Sequence, residues 1–274
     1  MSDSESDKTG VPLVENLSDS PQPKANTKRK RDNEEKQSAK RRRLKKPKDV
    51  DERALDAELG VNHAIAHMDS QLLADHVAQR TQRFRPDLSL VEKDEFHVPA
   101  AAIVDTTHWE KPRIKDTLPD YLQRYAKSRR KKKGQTLSDA PEAKGHPHTI
   151  VVAGSGLRAV ELIRSLRKFQ TKEAFVAKLF AKHIKLKEAV ETLSKTSVNI
   201  GVGTPQRIMD LLDNGALSSA DLERIIIDAS FIDQKKRGIL DMKETQVPLV
   251  RLLTRSELKK RYGDAGSKIE LLFY

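Results

Sequence analysis

The sequence predicts an α/β fold: a parallel sheet covered by helices over residues 148–274, preceded by a long disordered and extended basic region. Three observations predict it. From residue 148 onward, short apolar runs alternate with amphipathic helical patterns. Those runs are near-continuous Val/Ile stretches, as expected of strands buried on both faces. Upstream, charge is clumped and apolar residues are sparse, which leaves ordering entropy little to offset it.

Residues 1–48 read as a disordered basic tail. The acidic-serine piece SDSESD gives way to KRKR (Lys28, Arg29, Lys30, Arg31) and KRRRLKK (Lys40, Arg41, Arg42, Arg43, Lys45, Lys46). Residues 24–48 hold thirteen Lys or Arg against three acids, a net of +10. Such tracts fit nuclear import, RNA phosphates, or both. Residues 49–83 predict a helical segment, with Gly60 as a break. His63 and His67 share a helical face but have no third ligand, so a surface or packing role is expected. Residues 84–147 read as an extended partner-binding segment or an ordinary linker, because Pro86, Pro99, Pro112 and Pro119 interrupt short apolar clusters. A short helix is expected from LPDYLQRY, with Pro119 near its start. A second basic run follows it (Arg129, Arg130, Lys131, Lys132, Lys133).

Within 148–274 the expected order is as follows. TIVVAG is a strand, LRAVELIRSLRKF a helix, FVAKLF a strand and LKEAVETLSK a helix. VNIGVG is a strand, and PQRIMDLLDNG is a helix with Pro in its first turn and Gly at its end. LERIIIDAS carries the fourth strand. Residues 239–260 are helical but broken around Pro248, and KIELLFY is the last strand.

Composition narrows the function. The net charge of the 274 residues is +12, and there is no cysteine. Disulfides, cysteine zinc sites and thiol nucleophiles are thereby excluded. The polar, acidic N-terminus predicts no secretory signal, and no apolar run approaches the roughly 18 residues of a membrane span. The turn AGSGLRA follows the first strand, but no acid ends the second strand to hold a ribose. The string G-x-x-x-x-G-K-[ST], which cradles a triphosphate, is absent.

GVGTPQRIMDLL at 201–212 follows a strand and opens a helix. It resembles the DEAD-box helicase unit G-T-P-G-R-L-x-D-L-L, with Gln206 in place of the second glycine. In that unit the helix N-terminus offers amides and a positive dipole end to an RNA phosphate. The resemblance implies phosphate contact at Gly203, Thr204, Pro205, Gln206 and Arg207, and at Ser155, Gly156 and Arg158 in the preceding unit. IIIDAS resembles the strand leading into D-E-A-D. Asp228 aligns, but Ala229 stands where the glutamate that polarises water would be.

Taken together, TLPDYLQRY, the G-S-G-x-R-A-x-E-L unit, V-G-T-P-x-R and I-D-x-x-x-x-D-Q-K (Ile227, Asp228, Asp233, Gln234, Lys235) resemble one family over roughly 105–274. This is the Cms family of degenerate DEAD-box-like proteins, called CMSS in animals. The resemblance implies a single incomplete RecA-like domain, like the N-terminal domain of a DEAD-box protein. It also implies a non-catalytic ribosome-biogenesis factor of the 90S pre-ribosome, or small-subunit processome, in the nucleolus of the nucleus. The expected partners are pre-rRNA and assembly proteins in a large particle. No cofactor, metal, membrane or small-molecule substrate is expected. The alternatives are a nuclear adaptor for another RNA particle or chromatin, and a cryptic ATPase or transferase.

Overall fold

Three fully buried runs, TIVV, VNIGVG and RIII, form the middle of a parallel sheet in a computed structural model that describes residues 52–125, 136–263 and 268–274. Its strands are β3 (Thr149–Val152), β4 (Phe175–Leu179), β5 (Val198–Gly203), β6 (Arg224–Ile227) and β7 (Glu270–Phe273). They lie in the order β4-β5-β3-β6-β7, every pair parallel. A small hairpin of β1 (Leu55–Asp56) and β2 (Val61–Asn62) comes before them.

The alternation along each strand divides the core in two. Ile150, Val152, Ile225, Ile227, Leu271 and Phe273 belong to one cluster. It is shared with helices α1 (Ser70–Phe84), α5 (Leu186–Lys195), α6 (Pro205–Asp213) and α7 (Lys243–Leu253). Val151, Ala153, Ile226 and Leu272 belong to the other. That one is covered by α3 (Leu118–Tyr125) and α4 (Gly156–Leu166). Helices on both faces explain why the strands carry no polar alternation. Two short helices, α2 (Leu90–Glu95) and α8 (Ser256–Lys259), follow α1 and α7 along the chain.

Three local expectations change. Residues 52–67 are not a helix but the β1–β2 hairpin and a 3-10 turn. The Asp56 carboxylate accepts the backbone N–H groups of Glu58 and Leu59, an alternative that competes with helical bonding, and Gly60 supplies φ +66°. Pro248 lies inside α7 without ending it. Packing of the buried Leu249, Val250, Leu252 and Leu253 outweighs its poor propensity.

The third concerns the segment after residue 84. Leu90 and Val91 stay exposed, but the later apolar residues pack on this chain itself, and Val98, Ile103, Trp109, Leu118 and Tyr121 are buried. Ile103 bridges Leu271 in parallel, and the Val104 N–H donates to the Leu271 carbonyl at 2.8 Å. Arg113 is fully buried and donates to the carbonyls of Phe273, at 2.5 Å, and Thr106, at 3.1 Å. Burial pulls its guanidinium pKa down. Trp109 meets Tyr121 edge-on at 5.3 Å. Residues Val50–Tyr274 are accordingly one compact unit. No helix among the described residues is long and apolar enough to cross a membrane.

Candidate nucleic-acid interface

Because the strands are parallel, their carboxyl ends share one edge of the sheet. The two stretches expected to touch phosphate meet there. The Ala153 N–H donates to the Gly203 carbonyl at 2.8 Å, and the Thr204 N–H donates to the Leu179 carbonyl at 3.1 Å. These bonds tie the ends of β3, β4 and β5 together.

Ser155 is the N-cap of α4, and its hydroxyl accepts the Arg158 N–H at 3.2 Å. Gly156 follows at the first helical position. A side chain on Gly156 would come within 3.3 Å of the Lys182 Cβ, and one on Gly154 within 3.5 Å of Ile239. The amides of Gly156 and Leu157 have no partner among the described residues.

Arg158 turns inward. Its Nε and Nη2 donate to the two oxygens of Asp228, at 2.9 and 3.2 Å. Its Nη1 donates to Glu161 at 3.1 Å, and the Phe231 ring lies 4.1 Å from the guanidinium carbon. Asp228 is buried, and burial pushes its carboxyl pKa up while Arg158 opposes the rise. Desolvation works against the Arg158 charge, but Asp228 and Glu161 together more than offset it and hold the guanidinium pKa up. The pair sits between the ends of β3 and β6. The chain leaves β3 toward β4 and leaves β6 toward β7, so this is the point where open α/β sheets take their ligands. Here two of the chain's own side chains fill it.

Gly203 has no room for a side chain, since a Cβ would stand 1.8 Å from the Leu179 carbonyl oxygen. Thr204 makes no side-chain cap to α6, and Pro205 occupies the first turn. The first helical bond of α6 is Ile208 N–H to Thr204 carbonyl, at 3.1 Å. That leaves the amides of Gln206 and Arg207 without a partner among the described residues. Gln206 is exposed and donates to Asp210 at 2.8 Å. Arg207 is 9% exposed, and its Nε and Nη1 find no acceptor among the described residues. Two helix N-termini with unbonded donors thus stand side by side, an arrangement suited to anionic oxygen.

Sequence reasoning missed the exposed basic side chains of the loop after β4 at this edge, Lys182, His183, Lys185 and Lys187. A cluster of Lys and His directly after a strand was the available signal. The basic tracts Lys28–Lys46 and Arg129–Lys133 lie outside the described residues. His63 stands 3.6 Å from Asp56, and among the described residues no group of three His, Cys, Asp or Glu is placed to hold a metal.

Comparison with known proteins adds an independent line. A family model described as "CMS1: U3-containing 90S pre-ribosomal complex subunit" matches residues 15–274. Protein CMS1 of Chaetomium thermophilum is 49% identical over 249 residues, covering 91% of this chain and 97% of that protein. Protein cms1 of Schizosaccharomyces pombe is 29% identical over 77% of this chain and 73% of its own length. Human Protein CMSS1 is 32% identical over 60% of this chain and 55% of its own length.

Proposed function

Because the chain belongs to the CMS1 family of U3-containing 90S pre-ribosomal complex subunits, we propose that this ribosome-biogenesis protein binds pre-rRNA and assembly proteins in that particle without catalysing a reaction. The family supports the particle and, through it, a nucleolar setting in the nucleus. The RNA contact is the finer claim. The observation that carries it is the pair of adjacent helix N-termini at Gly156–Leu157 and Gln206–Arg207, whose amides have no partner among the described residues. Such donors are satisfied by phosphate oxygens. In this reading Ser155, Gly203, Thr204 and Pro205 shape the two turns. Arg158 is a positioning residue and holds α4 in place through Asp228.

The non-catalytic reading is supported by the closed crevice between β3 and β6. A nucleotide there would have to displace a buried ion pair and the Phe231 ring over it. Two measurements test the proposal. Crosslinking in cells should recover pre-rRNA and assembly proteins; recovery of messenger RNA or chromatin instead sinks it. Purified protein should hydrolyse no ATP with or without RNA, and RNA-stimulated turnover removes the non-catalytic reading.

A further inference from the structure

We propose that two lysine loops, one after β4 and one after β6, form a two-sided clamp on an RNA phosphate backbone across the Gly154–Gly156 turn. The proposal rests on the RNA-binding reading above and assigns residues and chemistry to it. The first loop carries Lys182, His183 and Lys185, and Lys187 follows in the first turn of α5; all four are exposed. The second carries Lys235 and Lys236, also exposed. Among the described residues none of these six side chains has an acidic partner. Arg237, next to them, is held by Asp233 at 2.9 Å, so the second loop keeps two free cations.

The glycine turn brings the loops together. Lys182 stands over Gly156 from one side and Ile239, at the end of the second loop, over Gly154 from the other. Bare Cα atoms at both positions permit that approach. Strand spacing sets the reach: β4 and β6 are three places apart, roughly 14 Å. Between the loops lie the unbonded amides of α4 and α6. The two non-glycine residues with positive φ among the described residues are His183, at 60°, and Lys236, at 58°, one in each loop.

The chemistry favours backbone over bases. Lysine is a mobile point charge with three donors and suits phosphate oxygens approached from several directions. Phe231 is stacked on Arg158 and Phe180, at the foot of the first loop, is buried, so neither ring is free to stack on bases. Recognition would be independent of sequence and strongly salt-dependent.

The test uses the full chain and a mixed-sequence single-stranded RNA of about 20 nucleotides, a length exceeding one typical single-strand site. The triple change Lys182→Glu, Lys185→Glu, Lys187→Glu is compared with Arg164→Glu, Arg167→Glu, Lys172→Glu. The second set makes an equal charge change in α4 and just beyond it, toward the opposite edge of the sheet. The loop variant should bind at least tenfold more weakly near 150 mM salt and lose about two from its salt slope, as for about three phosphate contacts. The control should change by less than about threefold. Lys235→Gln with Lys236→Gln should weaken binding further, without altering the thermal midpoint of unfolding. Equal losses in loop and control variants overturn the clamp while leaving the RNA reading intact. So does displacement of the RNA by a poly-glutamate peptide of matched charge. Failure of the unaltered chain to bind RNA defeats the earlier reading instead.

Discussion

Arg158 and Lys182 flank the same glycine turn, and their charges meet different fates. Arg158 lies between β3 and β6, 6% exposed, with its guanidinium bonded to Asp228 and Glu161. Lys182 lies beyond β5 with no acid beside it among the described residues, and solvent surrounds it. At the centre of the sheet edge, charge holds the fold together. At the flanks, charge is available to a partner. A sequence motif marks where a cation begins along the chain; only the fold decides which way it turns.

The largest expected effect comes from breaking the centre. Asp228→Ala leaves the buried Arg158 guanidinium with only the half-exposed Glu161 as an acid partner, and should cost up to about 3–5 kcal/mol of folding stability. Urea unfolding measures it, and a loss below about 1 kcal/mol would mean that water reaches the pair. Replacing both partners, Arg158→Met with Asp228→Leu, should restore most of the loss, because a well-packed apolar pair is often neutral.

Next in size is Gly203→Ala. The added methyl meets the Leu179 carbonyl, and overpacking of this kind costs roughly 2–3 kcal/mol. The same change at Gly156 makes a far milder contact, 3.3 Å from the Lys182 Cβ and 3.5 Å from the Phe180 ring, so the two thermal midpoints should separate clearly.

The smallest effect involves pH. Arg80 pairs with Asp241 at 3.3 Å, and Asp241 accepts the Gly238 N–H at 2.8 Å, at the end of the second lysine loop. His76 lies beside them. Burial, aided by Arg80, lowers its pKa below the ordinary 6.5. The unfolded chain therefore binds the proton first, and stability falls as pH drops below about 6.5. His76→Gln should flatten the decline between pH 7.5 and 5.5; an unchanged slope would place its cause elsewhere.

Much of the sheet was legible because burial on both faces imposes a simple pattern. TIVV, VNIGVG and RIII are nothing but core, and LKEAVETLSK matches α5 end to end. The bonds of Arg158 were not legible, since Asp228 lies 70 residues away along the chain. Nor was the part played by Arg113, whose carbonyl partner on Phe273 is 160 residues distant. Long-range pairing leaves no local periodicity. The β1–β2 hairpin escaped for the opposite reason: one carboxylate, Asp56, overrode a helical apolar spacing. The lysine loop after β4 was in plain view, but its importance depends on Gly156 lying opposite.

The bond from Val104 to Leu271 joins residues made at very different moments of synthesis. Residues 103–125 leave the ribosome early, yet the strand they dock on is translated almost 150 residues later. Until β7 arrives, Trp109, Tyr121 and Arg113 have no sheet edge to settle against. Such distant contacts slow folding and prolong the exposure of sticky surface. A chain halted before β7 should therefore be a preferred target for proteolysis.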